Sequence, residues 1–129
     1  MRTLLRSLAA GAAAFVFSVH ALAQATSEYP TKPIRMLLPF AAGGGGDVLG
    51  RLLAESMAKR LKQTIFVENK IGAGGTIGTQ AAATAPADGY TISIGGMTTH
   101  VLAPAVYAKL PYDPIKDFTT IGRIGTSAI

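Results

Sequence analysis

The chain has 129 residues, 49% of them hydrophobic, with 15 glycines, 7 prolines and no cysteine. That length builds one modest core and no second domain, and the missing thiols exclude disulfides, thiolate metal sites and thiol nucleophiles. Twelve basic against seven acidic residues give a net charge of +5, but no basic cluster interleaves with aromatics, so nucleic-acid binding is not expected.

The amino terminus reads as an export signal. "MRTLLR" is a short basic start, residues 8–19 form an apolar run, and "ALA" at Ala21 to Ala23 is a small-x-small cleavage site. The run is too short to span a bilayer, which takes about 20 apolar residues. A signal peptide over 1–23 is expected, with cleavage after Ala25 as the alternative, and the mature chain over 24–129 is expected in the periplasm.

After a turn-like "SEYPTKP", the run "IRMLLPF" is short and almost wholly apolar, the pattern of a strand buried on both faces. Four consecutive glycines end it. From Asp47 the period becomes helical: Val48, Leu49, Leu52, Leu53, Met57 and Leu61 share one face, with Arg51, Glu55 and Lys59 on another. Asp47 reads as the helix N-cap and Glu55 with Lys59 as an i,i+4 pair. Gly50 costs about 1 kcal/mol relative to Ala inside a helix, which points to close packing. "TIFVEN" is a second strand, "KIGAGGTIGTQAAATA" a second glycine loop opening an Ala-rich helix near Thr76, and "PADGY" a turn before the third strand, "TISIGG". A third loop and a short helix around Pro104 follow. A Pro-rich connection then leads to a fourth strand expected from about Thr119. Tyr90, Tyr107, Tyr112 and Phe118 are expected to pack sheet edges and connections.

Strand, glycine loop and helix thus recur, which implies an α/β fold: a parallel sheet with helices on both faces. In such a sheet the strand-to-helix loops gather at the carboxyl edge, where ligands bind. A helix N-terminus there offers unpaired N–H groups, and glycine lets an anion approach them. The expected ligand is a carboxylate, phosphate or similar anion. Neither loop is a nucleotide cradle: Gly45 to Gly50 is followed by Arg51 and Leu52 rather than Lys and Ser/Thr, and Gly72, Gly74 and Ile77 break the dinucleotide fingerprint. His20 lies in the signal region and His100 reads as a loop hydrogen-bonder, so no catalytic set and no metal site can be assembled. No enzyme and no cofactor are expected.

The ordered motifs "YPTKPIRMLLPF", the glycine loop ending in Asp47, "VENKIGAGGTIG", "ADGYTI" and "LPYDPIKDF" resemble the Bug (TctC-like) family, the extracytoplasmic solute receptors of tripartite tricarboxylate transporters. The resemblance runs from about Tyr29 to the last residue. It implies a two-lobed periplasmic-binding-protein fold of class II type, of which this chain carries an incomplete first lobe. It further implies a monomer that binds a small carboxylate and works with the transporter's membrane components.

Carried onto this sequence, the resemblance places the carboxylate on Phe40, Ala41, Gly43, Gly44, Gly45, Gly46 and Asp47 of the first loop. The second loop adds Gly72, Ala73, Gly74, Gly75, Thr76 and Gly78, and the third adds Thr98 and Thr99. No arginine stands within the first two loops, so neutral dipoles must hold the anion. A valine at Gly74 or Gly75 is expected to block backbone approach. The family commonly has proline where Ala42 stands, and runs to roughly 300 residues, the size of two lobes. The alternative expectation is therefore an exported, non-functional truncation of such a receptor.

Overall fold

The computed structural model describes residues 29–126; the expected signal peptide lies outside the described residues. Its elements in chain order are β1 (Ile34–Leu38), α1 (Gly45–Leu61), β2 (Ile65–Asn69), a 3₁₀ turn (Ala73–Gly75), α2 (Thr76–Ala83), β3 (Thr91–Ser93), a π-helical turn (Thr98–Leu102) and α3 (Ala103–Val106). The strands form one parallel sheet in the order β2-β1-β3. Ile34 is paired with Ile65 and Arg35 with Thr91.

This order dictates the layers. The step from β1 to β2 and the step from β2 to β3 run in opposite directions across the sheet, so right-handed crossovers put α1 and α2 on opposite faces. Accordingly α1 packs on β1 and β2, and α2 on β1 and β3. The central strand is buried from both sides, with Ile34, Met36, Leu37 and Leu38 at most 1% exposed. Met36, Leu38, Ala54 and Ile94 form the main cluster, with Phe40, Leu53, Met57, Ile65, Val67 and Ile92 packed around it.

Two helical details differ from the sequence reading. First, α1 starts at Gly45, its N-cap is Gly44, and no side chain caps it; Asp47 sits a turn inside and reaches back to the Gly43 N–H. Second, the buried stripe of α1 is Asp47, Gly50 and Ala54, continued by the partly buried Met57 and Leu61. Val48, Leu49 and Leu52 are 46–60% exposed. The reason is Gly50: a Cβ there would stand 2.6 Å from Leu38 Cδ1, so the helix axis lies closer to the sheet than a larger residue permits, and the leucines rotate out.

Gly50→Ala is therefore expected to destabilise the fold by about 1–2 kcal/mol. Its helix-propensity gain of about 1 kcal/mol is outweighed by overpacking of about 1–3 kcal/mol against the fully buried Leu38 side chain, which has to shift inside the core. Urea unfolding at equilibrium checks the sign, and a raised midpoint would refute the close approach.

The fourth strand expected from Thr119 is absent: residues 119–126 adopt no regular secondary structure. A strand needs a neighbour about 4.8 Å away, whereas a cavity of about 710 Å³ separates this segment from β3. The outer edge of β3 is left open. Arg35 N–H donates to Tyr90 O at 2.8 Å and Ile94 N–H to Leu37 O at 3.3 Å, so the groups of Thr91 and Ser93 point away from β1, toward that cavity.

At the opposite end of the sheet, "YPTKP" meets "ADGY". Thr31 N–H donates to Tyr90 Oη at 3.0 Å, Lys32 Nζ pairs with Asp88 at 3.0 Å, and the rings of Tyr29 and Tyr90 lie 5.2 Å apart. These motifs form a clasp remote from the glycine loops.

Candidate functional site

All three strand-to-helix loops emerge at the carboxyl edge, and Pro39, the residue after β1, is where they meet. A Cβ on Gly75 would stand 3.3 Å from Pro39 Cβ and 2.8 Å from Thr99 Cγ2; one on Gly78 would stand 3.0 Å from Pro39 Cβ and run into Lys70 O. Loop two therefore lies on loops one and three with no room for side chains. Gly75 also has φ +92°, a left-handed conformation that only glycine adopts without strain.

Loop one is fixed by a polar network. The Asp47 carboxylate accepts from Gly43 N–H at 2.9 Å, from Arg51 Nε at 3.0 Å and from Asn69 Nδ2 at 2.8 Å. Asn69 Nδ2 also donates to Phe40 O at 3.1 Å, and Arg51 Nη2 donates to Asn69 Oδ1 at 2.8 Å. The end of β2 thereby grips both ends of the glycine run. Hydrogen bonds from Arg51, then from Gly43 and Asn69, hold the Asp47 carboxyl down at about 2, ionised at any physiological pH.

The candidate residues separate by exposure. Ala41, Gly43, Gly44 and Gly45 are exposed, Phe40 and Gly46 half-buried, and Gly46 lies on the Phe40 ring. Nothing stands within 4 Å of where a Cβ would be on Gly43 or Gly45. The first N–H of the α1 ladder is that of Val48, donated to Gly44 O at 3.0 Å; those of Gly45, Gly46 and Asp47 precede it and have no intrahelical acceptor.

In loop two, Gly72 is half-buried, Ala73 and Gly74 are exposed, and Gly75, Thr76 and Gly78 are buried. In loop three, Thr98 is exposed and Thr99 buried. The side chains of Asp47, Thr76 and Thr99 are committed to the protein itself: Thr76 Oγ1 donates to Ala73 O at 2.9 Å, and Thr99 Oγ1 lies 2.8 Å from His100 Nδ1. His100 packs on Phe118, with ring centroids 5.0 Å apart, and Tyr112 Oη donates to Thr99 O at 2.6 Å. The "LPYDPIKDF" motif thus braces loop three. Burial pushes the His100 imidazole below its ordinary value.

Three contributors escaped the sequence reading. Asn69 and Arg51 looked like a strand end and a solvated helix face. Tyr107, expected to pack a connection, instead sends its hydroxyl to Ala73 O at 3.4 Å. A polar residue closing an apolar strand just before a glycine loop was the available signal for Asn69.

In open parallel α/β sheets the carboxyl edge, where the N–H groups that open α1 lie, is where ligands bind. Solved structures share this fold. The periplasmic binding protein BugD shares 48% identity with a TM-score of 0.67, over 70% of this chain and 30% of BugD. MatC from Rhodopseudomonas palustris, with bound malate, shares 44% identity with a TM-score of 0.68, over 70% of this chain and 31% of MatC. A UPF0065 protein from the TAR-I ttuE-ttuC' intergenic region of Agrobacterium vitis is 43% identical over 103 residues, 80% of this chain and 30% of the relative. Residues 49–129 match TctC, the tripartite tricarboxylate transporter family receptor, and the chain belongs to that family. It spans about 30% of the length of the curated relatives it matches.

Proposed function

We propose that the chain supplies the carboxylate-holding edge of a periplasmic solute receptor that delivers a small carboxylate to the membrane components of a tripartite tricarboxylate transporter. The observation that carries this reading is the start of α1. Exposed glycines lead into it, the N–H groups of Gly45, Gly46 and Asp47 precede its ladder, and the one acidic side chain nearby is neutralised by Arg51. A carboxylate oxygen there meets donors and the positive end of the helix dipole without a competing negative charge. Gly74, exposed at φ +65°, offers the second loop's backbone to the same edge. That MatC was solved with malate supports a small organic acid as the ligand. The receptor is exported, acts as a monomer and carries out no chemistry on its solute.

The test is a titration of the ¹⁵N-labelled chain with malate. Saturable shifts confined to the amides of Gly45, Gly46, Asp47 and Gly74 are expected. Shifts elsewhere with these four unmoved would overturn the site.

A further inference from the structure

His100 is built into the molecule at three points. Its ring covers Gly95, where a Cβ would run into the imidazole. Phe118 stands against it with ring centroids 5.0 Å apart, and Nδ1 lies 2.8 Å from Thr99 Oγ1. Thr99 is only 2% exposed; Tyr112 Oη donates to its carbonyl, and its Cγ2 fills the space over Gly75. One buried residue thus joins the imidazole to loop two.

The hydroxyl of Thr99 has two acceptors within reach, Nδ1 at 2.8 Å and Gly96 O at 3.4 Å. Donation to the nearer one sets the neutral ring with its proton on Nε2, and Oγ1 in turn accepts from Gly96 N–H at 3.3 Å. An added proton has to go onto Nδ1, where it meets the hydroxyl hydrogen. The surroundings do not favour the resulting cation. Asp117 is the one acidic residue on the cavity of about 710 Å³ that His100 lines, and Tyr29 its other titratable group. The Asp117 carboxylate is engaged by Asp113 N–H at 2.7 Å, and Tyr112, beside the ring, is kept protonated by burial. Burial accordingly holds the imidazole below its ordinary value.

We propose that His100 is an acid-sensitive latch on loop three: a proton taken from solvent onto Nδ1 breaks the hold on Thr99, and loops three and two loosen together. The cavity beside the ring gives the charged imidazole room to swing out toward water. With the ring gone, the Thr99 hydroxyl turns to Gly96 O, and its methyl no longer pins Gly75. The latch stands on contacts within the loops and does not depend on which solute they meet.

The experiment is an NMR titration of the labelled chain without solute, from about pH 7.5 to about pH 5. The His100 ring is expected to titrate below 6.5, with the amides of Gly75, Gly96 and Thr99 moving at the same midpoint and those of Gly43 and Asp47 still. His100→Gln should abolish these amide shifts. Thr99→Val, which keeps the volume and removes the hydroxyl, should raise the ring's midpoint and leave Gly75 unmoved. A ring that titrates at 6.5 or above, a ring that titrates while Thr99 and Gly75 stay still, or amide shifts that persist in His100→Gln would each overturn the latch. Should a variant fail to fold, the parent titration alone decides.

Discussion

Gly75→Val is expected to unfold most of the molecule. The substitution places a β-branched residue at φ +92°, a strain of about 1–3 kcal/mol. It also drives a Cβ to 2.8 Å from Thr99 Cγ2 and 3.2 Å from Pro39 O, an overpacking cost of about 1–3 kcal/mol. The combined loss of roughly 3–5 kcal/mol is a large part of a small domain's stability. Gly74→Ala serves as the control. Its Cβ would meet nothing nearer than the Tyr107 hydroxyl at 3.9 Å, so only the left-handed backbone penalty of about 1–2 kcal/mol applies. Urea midpoints for the two variants should differ accordingly. Equal midpoints would mean that loops one, two and three do not meet at Pro39. The sequence reading treated the two glycines alike; the fold assigns Gly75 to packing and leaves Gly74 exposed.

Asp47→Ala should release loop one. The substitution removes the side-chain acceptor of the Gly43 N–H and one of the two acceptors of Asn69 Nδ2, and it frees Arg51, which is half exposed and rehydrates readily. A melting temperature lower by roughly 5–10 °C is expected for the loss of such a network, together with loss of the malate-induced shifts at Gly45 and Gly46. The pH dependence separates this role from simple packing. The native carboxyl titrates at about 2 against an ordinary 3.8, so its contribution is fully present above pH 4 and disappears as the pH falls through 2. The parent protein should therefore lose stability in that window and Asp47→Ala should lose less. Identical acid profiles would remove Asp47 from the support of the loop.

The strand-loop-helix alternation was legible because each signal was local: an apolar run of five to seven residues, a glycine cluster, then a 3.6-residue period. What stayed hidden depended on partners far along the chain. Val48, Leu49 and Leu52 share a helical face with Leu53 and Met57 in sequence, yet Leu38 meeting Gly50 decides which side of that helix turns inward. Asp47 had the chemistry of a cap and was placed one; only its contacts with Asn69, 22 residues away, show that it anchors a loop instead. The segment expected as a strand from Thr119 lies across a cavity from the open edge of β3 rather than against it. Of the candidate site, the glycine loops could be located directly, whereas the reach of the Tyr107 hydroxyl to Ala73 O became visible only once the chain after α3 was folded against loop two.

The outward-facing backbone of Thr91 and Ser93 bears on how the molecule behaves in company. Unclaimed peptide groups on the rim of a sheet invite a neighbouring chain to continue it, which is the first step toward growth of fibrils. Here β3 is only three residues long, and Gly95 and Gly96 follow it, so the rim offers too little straight backbone to template a stack. Crowded copies of this protein should stick transiently at that rim and come apart on dilution.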